Sequence, residues 1–338
     1  MKFTLSWLRD HLKTEAPLAE IVERLPSIGL EVEAVVDRGA PLGGFVVAEV
    51  IEAKPHPNAD KLRVCTVDTG RERLQVVCGA PNARTGLKGV FAAVGSFIPG
   101  TGITLKPATI RGIESAGMLL SEREMQLSED HAGIVELSPD AAVGMPVAAA
   151  MGLDDPIIDV SITPNRGDCL GVRGIARDLA AAGLGTLRPI DAAAVPGWFA
   201  SPIGVCLDVP PEAASACPWF MGRLIREVRN AESPRWMRDR LLAAGLRPIS
   251  ALVDITNYLA LDLCRPLHVF DADRLTGGIH VRLARPGEQL AALNGKTYQL
   301  APEMTVVADD AGAQALGGVI GGEPTACTEV TVNVVKEE

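Results

Sequence analysis

Aromatic residues are scarce in this chain, at 4% of its 338 residues, although hydrophobic residues make up 47%. Aliphatic side chains and alanine must therefore fill the core. The seven cysteines are widely spread and form no CxxC pair, so no zinc site is predicted and reduced thiols in the cytoplasm are favoured. No apolar run approaches the length of about 18 residues that a membrane helix needs. The charges of Lys2 and Arg9 come too early for a signal peptide, and neither a membrane partner nor secretion is expected.

The chain as a whole is acidic, with a net charge of −10. Residues 45–127 are different, because they hold ten basic and eight acidic side chains, which leaves −12 for the remainder. Contacts to phosphates require basic groups, so nucleic-acid binding is predicted to be confined to this segment. A chain of this length can hold two or three domains with real cores.

Segment 45–121 has the pattern of several short strands. Apolar and polar residues alternate over 45–51, 74–78 and 89–95, with Gly, Pro and Asn between them. The run His56-Pro-Asn-Ala-Asp-Lys-Leu-Arg-Val-Cys65 lies between the first two. The pattern predicts a small β-barrel, and its polar, mildly basic loops fit an OB-fold that binds nucleic acid. The alternative is a barrel without a nucleic-acid ligand.

The flanks of this segment predict a mixed α and β structure. A helix is expected after Pro17, kinked or ended by Pro26, and a strand over 31–36. After a connector at 139–146, a strand over 157–162 precedes a helix that Asp168 would cap and Gly183 would end. Residues 188–202 are rich in Ala and Pro and indicate a linker.

Beyond the linker, a helix is predicted over 233–245, with strands over 279–283, 304–308 and 330–335. Three polar residues among apolar neighbours, Thr256, Asn257 and His268, require hydrogen-bond partners if they are buried. From the residues alone we favour structural roles, with Asn257 capping a turn, His268 in the core and Asp271 capping a helix. The Gly-rich run at 317–322 is not followed by Lys-Ser or Lys-Thr, so a phosphate-binding loop is not predicted.

Two sets of motifs resemble the bacterial phenylalanyl-tRNA synthetase β-subunit family. Residues 45–121 are similar, in order, to its tRNA-binding OB module. Five further segments resemble the editing domain of that family: Arg247-Pro-Ile249, Val253-Asp-Ile-Thr-Asn-Tyr258, Pro266-Leu-His-Val-Phe-Asp271, Leu293-Asn-Gly-Lys-Thr-Tyr-Gln-Leu300 and the Gly-rich run at 315–322. Thr163-Pro-Asn-Arg-Gly-Asp168 resembles a family element that packs on the N-terminal forty residues.

The resemblance implies an α+β multidomain fold. A small α+β domain at 1–39 and 151–190 would carry an inserted OB-fold β-barrel at 40–150. A mixed α/β editing domain would follow at 203–338, truncated relative to the family.

The resemblance also implies a function: tRNA binding, and hydrolysis of tyrosine wrongly esterified to tRNA(Phe), in support of ATP-dependent charging by an α/β enzyme. The partners would be tRNA(Phe) and an α subunit, in an α2β2 heterotetramer, with ATP and Mg²⁺ serving the whole ligase and no cofactor in this chain. The alternatives are a free-standing tRNA-binding module and an editing factor that acts in trans.

The same resemblance assigns the site residues. The catalytic set is His268, Asn257, Thr256 and Arg247, and Glu337, Gly318 and Gly321 line the editing pocket. The tRNA-binding set is Lys54, Asn58, Lys61, Arg63 and Arg111. Glu337 would accept a hydrogen bond from the tyrosyl hydroxyl. His268 would act either as a base or as a positioning group. If it only positions the substrate, the 3′-terminal ribose hydroxyl would activate the attacking water instead.

Overall fold

The computed structural model describes residues 1–337. It divides into two compact units: the barrel unit, Val35–Ile157, and the discontinuous unit, formed by Met1–Ala34 and the chain from Ile158 onward. Each unit has hydrophobic clusters of its own. No helix of the described residues is long and apolar enough to cross a membrane.

The first elements are short strands and two helices: β1 (Lys2–Thr4), α1 (Leu5–His11), β2 (Leu12–Lys13), α2 (Leu18–Ser27) and β3 (Glu31–Val36). The Thr4 hydroxyl accepts from the Trp7 N–H and caps α1. Helix α2 begins after Pro17, as predicted. Pro26 lies in its last turn, where few further hydrogen bonds are lost, and Gly29 follows at a φ of 82°.

The barrel unit is built mainly of antiparallel strands: β4 (Phe45–His56), β5 (Ala59–Asp68), β6 (Arg73–Cys78), β7 (Lys88–Ala93), β8 (Phe97–Ile98), β9 (Ile103–Thr104), β10 (Ala108–Ile110), β11 (Ile113–Ser115) and β12 (Gly117–Leu119). A 3₁₀ turn, Ala40–Leu42, precedes them and helix α3 (Val147–Met151) follows. Five strands form one sheet in the order β12-β7-β4-β5-β6. The strands predicted at 45–51 and 74–78 are confirmed, and the one predicted at 89–95 is confirmed as far as Ala93.

The two ends of this sheet approach each other. The Ala116 N–H donates to the Gln75 carbonyl at 2.9 Å, and the Val77 N–H donates to the Ser115 hydroxyl at 3.1 Å. These bonds join β6 to the chain between β11 and β12. The sheet is therefore nearly closed and barrel-like.

The chain then returns to the discontinuous unit through β13 (Ile157–Ser161), a 3₁₀ turn (Gly167–Cys169), α4 (Val172–Ala181) and β14 (Thr186–Leu187). Strand β13 lies between β1 and β3. The predicted cap of α4 is wrong: Gly171 is its N-cap. Asp168 lies in the 3₁₀ turn and pairs instead with Arg166, at 3.1 Å, and with Arg177.

The remaining elements are mixed: β15 (Val205–Asp208), β16 (Gly222–Ile225), α5 (Arg235–Ala243), α6 (Ala251–Leu263), β17 (His268–Asp271), β18 (Ile279–Leu283), β19 (Gln289–Ala291), β20 (Thr297–Gln299), β21 (Thr305–Ala308), β22 (Ala313–Leu316), β23 (Ile320–Gly321) and β24 (Val334–Glu337). Two further 3₁₀ segments are Pro211–Ala216 and Ala272–Arg274. One sheet has the order β15-β18-β21-β22-β23 and another β16-β24-β17. The strand predicted over 330–335 is wrong in extent, since β24 begins at Val334.

Several of the few aromatic residues concentrate where α1 meets α5 and α6. Trp7 stacks on Tyr258 with ring centroids 5.1 Å apart, and Trp236 contacts Tyr258 edge-on. The Trp7 indole N–H donates to Asp262 at 2.6 Å. The N-terminal helix is thus anchored to the second half of the discontinuous unit.

Candidate functional site

A cavity of 390 Å³ opens in the discontinuous unit beside β17, β23 and β24. Its walls are mostly apolar, with Trp219, Phe220, Leu267, Val281, Val307 and Ile320 among the lining residues. A histidine and a glutamate, His268 and Glu337, also line it. Volumes of this size are typical of small-molecule sites, which span about 300–1,000 Å³.

His268 and Glu337 are neighbours across the β17–β24 ladder, where the register pairs them directly. Directly opposed side chains of an antiparallel pair lie on the same face of the sheet. His268 Nε2 and Glu337 Oε2 are both buried and have no hydrogen-bond partner among the described residues. Buried polar atoms are nearly always paired, so two unpaired ones in a single cavity point to a ligand that would satisfy them.

Burial also shifts the protonation of both groups, in opposite senses. It lowers the pKa of His268 to about 4 and raises the pKa of Glu337 to about 7. Desolvation disfavours the charged form of each. Near neutral pH the imidazole is therefore uncharged and able to accept a proton, while the Glu337 carboxyl can either donate or accept a hydrogen bond.

Two glycines shape the cavity in different ways. A Cβ at Gly321 would overlap the His268 ring, so only glycine leaves the imidazole its place. Gly318 has a φ of 70° and open space where a Cβ would be, so its requirement is conformational. The structure thus brings together four predicted residues: His268, Glu337, Gly318 and Gly321.

In the barrel unit, the β4–β5 turn is fastened to the β10–β11 turn. His56 is buried and its Nε2 bonds to the Ile110 carbonyl at 3.1 Å, while its Nδ1 accepts from the Asn58 N–H at 3.0 Å. The Asn58 side chain donates to the Arg111 carbonyl at 3.3 Å. Two of the predicted tRNA-binding residues, Asn58 and Arg111, therefore lie together.

The three basic residues of the β4–β5 hairpin do not share one face. Lys61 and Arg63 are two positions apart on β5 and both are exposed, so they lie on the same side. Lys54 is paired in register with Val64, which places it on the opposite side. It forms an ion pair with Glu52 at 2.9 Å.

Two protein families match parts of this chain. Residues 45–146 match the family described as "Putative tRNA binding domain", and residues 216–337 match the B3/4 domain. The second match spans the cavity, including His268, Gly318, Gly321 and Glu337.

Curated relatives match the whole chain. Those of Paramagnetospirillum magneticum, Rhodospirillum rubrum and Cereibacter sphaeroides are 59%, 57% and 56% identical over its full length, and each is a phenylalanine–tRNA ligase beta subunit. The chain is a relative of the phenylalanine–tRNA ligase beta subunits. It spans 42–43% of the length of these three proteins. A solved N-terminal fragment of the phenylalanyl-tRNA synthetase beta subunit of Pyrococcus horikoshii aligns with 54% of this chain and 55% of its own, at 16% identity and a TM-score of 0.31, too slight a likeness to bear on the site.

Three residues that the resemblance to beta subunits assigned to catalysis do not line the cavity. Thr256 and Asn257 lie half-buried in α6, and the Thr256 hydroxyl donates to the Val253 carbonyl at 2.8 Å. Arg247 is exposed in the connection from α5 to α6. The alternative that Asn257 caps a turn is wrong, because it lies in the middle of α6. Asp271 does act as a cap, accepting from the Asp273 N–H.

Sequence reasoning missed one wall of the cavity, which the run Cys217-Pro-Trp-Phe220 provides. The Cys217 thiol donates to the Trp219 carbonyl at 3.2 Å, and Trp219 is 79% exposed. This run has neither helical nor strand periodicity. Two adjacent aromatic residues in so aromatic-poor a chain were the available signal, and they lie within the residues that match the B3/4 domain.

Proposed function

We propose that this chain binds tRNA(Phe) and hydrolyses tyrosine that has been wrongly esterified to it. The observation that carries this proposal is the pair of buried, unpaired atoms, His268 Nε2 and Glu337 Oε2, in one largely apolar cavity. An aromatic amino acid with a hydroxyl group offers apolar surface to the walls and a polar atom to one of these groups. The relatives that are phenylalanine–tRNA ligase beta subunits agree with a role on phenylalanine-specific tRNA.

Selection for tyrosine over phenylalanine follows from the unpaired oxygen of Glu337. The tyrosyl hydroxyl would donate to that oxygen, whereas phenylalanine would leave it without a partner. An unsatisfied buried polar group costs about 1–3 kcal/mol, and a site built around a substrate hydroxyl can reject the analogue that lacks it by orders of magnitude.

Hydrolysis breaks the ester bond between the tyrosyl carbonyl carbon and the ribose oxygen. A water molecule attacks the carbonyl, and the products are tyrosine and a tRNA with a free terminal hydroxyl. The neutral imidazole of His268 would accept the proton of this water or hold the water in place. In the second case the adjacent ribose hydroxyl activates the water. Thr256, Asn257 and Arg247 are retained in the catalytic set on the strength of the family resemblance, with Asn257 positioning the ester and the attacking water.

We infer that the barrel unit supplies most of the tRNA affinity. Lys54, Asn58, Lys61, Arg63 and Arg111 would contact the backbone phosphates, and the exposed pair Lys61 and Arg63 is best placed to act jointly. Because phosphate contacts release counterions, binding should weaken steeply as salt rises.

The proposed architecture has three parts. A small α+β domain at 1–39 and 151–190 carries an OB-fold barrel at 40–150, and an editing domain follows from 203. The whole protein would work in the cytoplasm with an α subunit as an α2β2 ligase, which uses ATP and Mg²⁺ for charging. The residues proposed for this chain's own reaction include no metal ligand.

The proposal is tested by deacylation of tyrosyl-tRNA(Phe) in the full β subunit assembled with α. His268→Ala and Asn257→Ala should slow hydrolysis and keep the preference for tyrosine. Glu337→Ala should remove most of that preference, about 1–3 kcal/mol. Glu303→Ala, which removes an exposed carboxylate outside the cavity lining, is the matched control. Wild-type editing rates in both His268→Ala and Asn257→Ala would refute the catalytic assignment.

A further inference from the structure

A cysteine, an aspartate and a histidine meet at the β15 edge of the sheet β15-β18-β21-β22-β23, and none of the three lines the cavity. The ligand atoms of Cys206, Asp208 and His280 lie within 4.8 Å of one another. Strands β15 and β18 are parallel, and their register pairs Cys206 with His280. Asp208 is two positions beyond Cys206 and so lies on the same face. The register itself therefore gathers the three side chains.

The contacts within this cluster are direct. The Cys206 thiol donates to Asp208 Oδ1 at 2.9 Å, and His280 Nδ1 lies 2.7 Å from Asp208 Oδ2. On the far side of the ring, His280 Nε2 is 3.3 Å from Asp310 Oδ1. A Cβ at residue 277 would overlap the Asp310 carboxylate, so Gly277 makes room for this second carboxylate.

We propose that Cys206, Asp208 and His280 form a binding site for a zinc-like divalent transition-metal ion. Thiolate, imidazole and carboxylate are the three side-chain ligands that zinc takes in proteins. A metal on Nδ1 leaves the proton of His280 on Nε2, where Asp310 accepts it. A carboxylate behind a ligating histidine fixes its tautomer and orientation.

The geometry admits such an ion after a small opening of the cluster. Tetrahedral ligands at about 2.0–2.3 Å from zinc are separated from one another by roughly 3.3–3.7 Å, so the present contacts must widen by under about 1 Å. Strand β15 is an edge strand with all four residues exposed, so it can shift. Water fills the fourth position, since the cluster is open to solvent.

The charges around the cluster also favour the binding of a metal ion. Binding breaks the Sγ–H bond of Cys206, releases that proton to water and forms a metal–thiolate bond. One cation that acts on Asp208 is its register partner Arg282, which is held by Glu288 through contacts of 2.6 and 2.8 Å. Its charge is therefore already balanced.

A second cluster of similar composition makes a useful contrast. Asp168, Cys169 and Asp178 also gather within ligand distance, but the Arg166 guanidinium lies among them, 2.8 Å from Cys169 Sγ and paired with both carboxylates. Arg177 pairs with the same two aspartates. The position that a metal would take is already occupied by protein cations, so this cluster is not a metal site.

The test is a titration of the metal-free 338-residue chain with Zn²⁺ and, separately, with Co²⁺. We expect one equivalent to bind with proton release, and Co²⁺ to give a thiolate charge-transfer band in the near ultraviolet. Cys206→Ser should abolish that band, and His280→Gln should abolish tight binding. Asp310→Asn should weaken binding by about 10–100-fold. Cys264→Ser and His131→Gln, which alter a thiol and an imidazole elsewhere, should bind like the wild type.

Thermal melting in the presence of a chelator checks that each variant folds, and added Zn²⁺ should raise the melting temperature of the wild type but not of Cys206→Ser. Binding of the same stoichiometry in Cys206→Ser and His280→Gln would overturn the proposal, because the metal would then lie elsewhere. The absence of any charge-transfer band would overturn it as well and would leave His280 sharing a proton with its two carboxylates.

Discussion

At the scale of single residues, folding moves a proton between His268 and Glu337, which both line the cavity. At about pH 5.5 the unfolded chain carries a charged His268 and an ionised Glu337, since their ordinary pKa values are 6.5 and 4.5. In the folded chain these pKa values are about 4 and about 7, so the imidazole is neutral and the carboxyl protonated. Both states bind one proton, and the pair contributes little pH dependence to stability in this range.

Single variants should reveal the pH dependence of stability that each group contributes, which cancels in the wild type. In Glu337→Gln the His268 contribution remains, and because its folded pKa is depressed, stability should fall as the pH drops from 6.5 to 4. In His268→Gln the Glu337 contribution remains, and because its folded pKa is raised, stability should fall as the pH rises from 4.5 to 7. Each change should approach about 3 kcal/mol.

Urea unfolding at a series of pH values, with each variant compared with the wild type, measures these slopes. The double variant, which has neither group, serves as the control and should follow the wild type between pH 4.5 and 6.5. Parallel curves for all four proteins would show that neither group is desolvated as described.

The glycines of the cavity give a second prediction at this scale. Gly321→Ala should displace the His268 ring, because the added Cβ overlaps it, and should slow deacylation. Gly318→Ala meets open space and should cost about 1 kcal/mol of stability through its positive φ, with less effect on the rate. Equal losses of activity in the two variants, after correction for stability, would contradict the steric account.

Individual residues also show where prediction from sequence succeeded and failed. Asp271 was placed correctly because the cap of the helical turn that follows it is a local feature. Asp168 was misplaced because two arginines, one of them on α4, compete for its carboxylate. The His280 cluster could not be predicted from spacing, since 72 positions separate His280 from Asp208 and only the strand register brings them together.

At the scale of secondary-structure elements, the β5 strand carries a testable share of the tRNA affinity. Lys61 and Arg63 lie on one face, so Lys61→Ala with Arg63→Ala should lower the slope of log affinity against log salt by about 2, or about 1 per lost phosphate contact. Fluorescence anisotropy with tRNA(Phe) over a range of salt measures it.

Arg84→Gln is the control for this double variant. Arg84 is exposed and basic and lies in the same unit, but it is paired with Glu136 at 2.7 Å, so its charge is already balanced. An unchanged salt slope in the double variant, or an equal loss in Arg84→Gln, would remove the β5 face from the proposed tRNA contact.

Elements differed in how well their sequence patterns located them. The strand pattern at 45–51 was reliable because alternate residues such as Phe45 and Val47 are buried. In β6 the consecutive residues Val76, Val77 and Cys78 are all buried, so its position depends more on pairing with β5. The start of strand β24 was predicted four residues too early. Apolar and polar residues already alternate at 330–333, but those residues form no strand. What fixes β24 is its pairing on both sides with β16 and β17, a long-range effect that the local pattern does not carry.

At the scale of the whole molecule, the purified chain should fail to activate phenylalanine. Charging is proposed to belong to the α subunit, which is a separate chain. We expect no phenylalanine-dependent exchange of pyrophosphate into ATP, while the same preparation still binds tRNA. Exchange activity above the blank without phenylalanine would contradict the division of labour proposed for the two subunits.

The discontinuous unit has a consequence for the order in which this protein is made. Phe3 and Trp7 share one cluster with Ile158 and Ile175, but the 123 residues of the barrel unit (157 − 34) are translated in between. At about 5–20 residues per second this takes roughly 6–25 s. The barrel, whose strands mostly pair with near neighbours in the chain, can fold during that interval. Residues 1–34 are therefore synthesised before the barrel unit but are stabilised after it. Their apolar side chains have no partners in the core until the chain beyond the barrel unit has been translated.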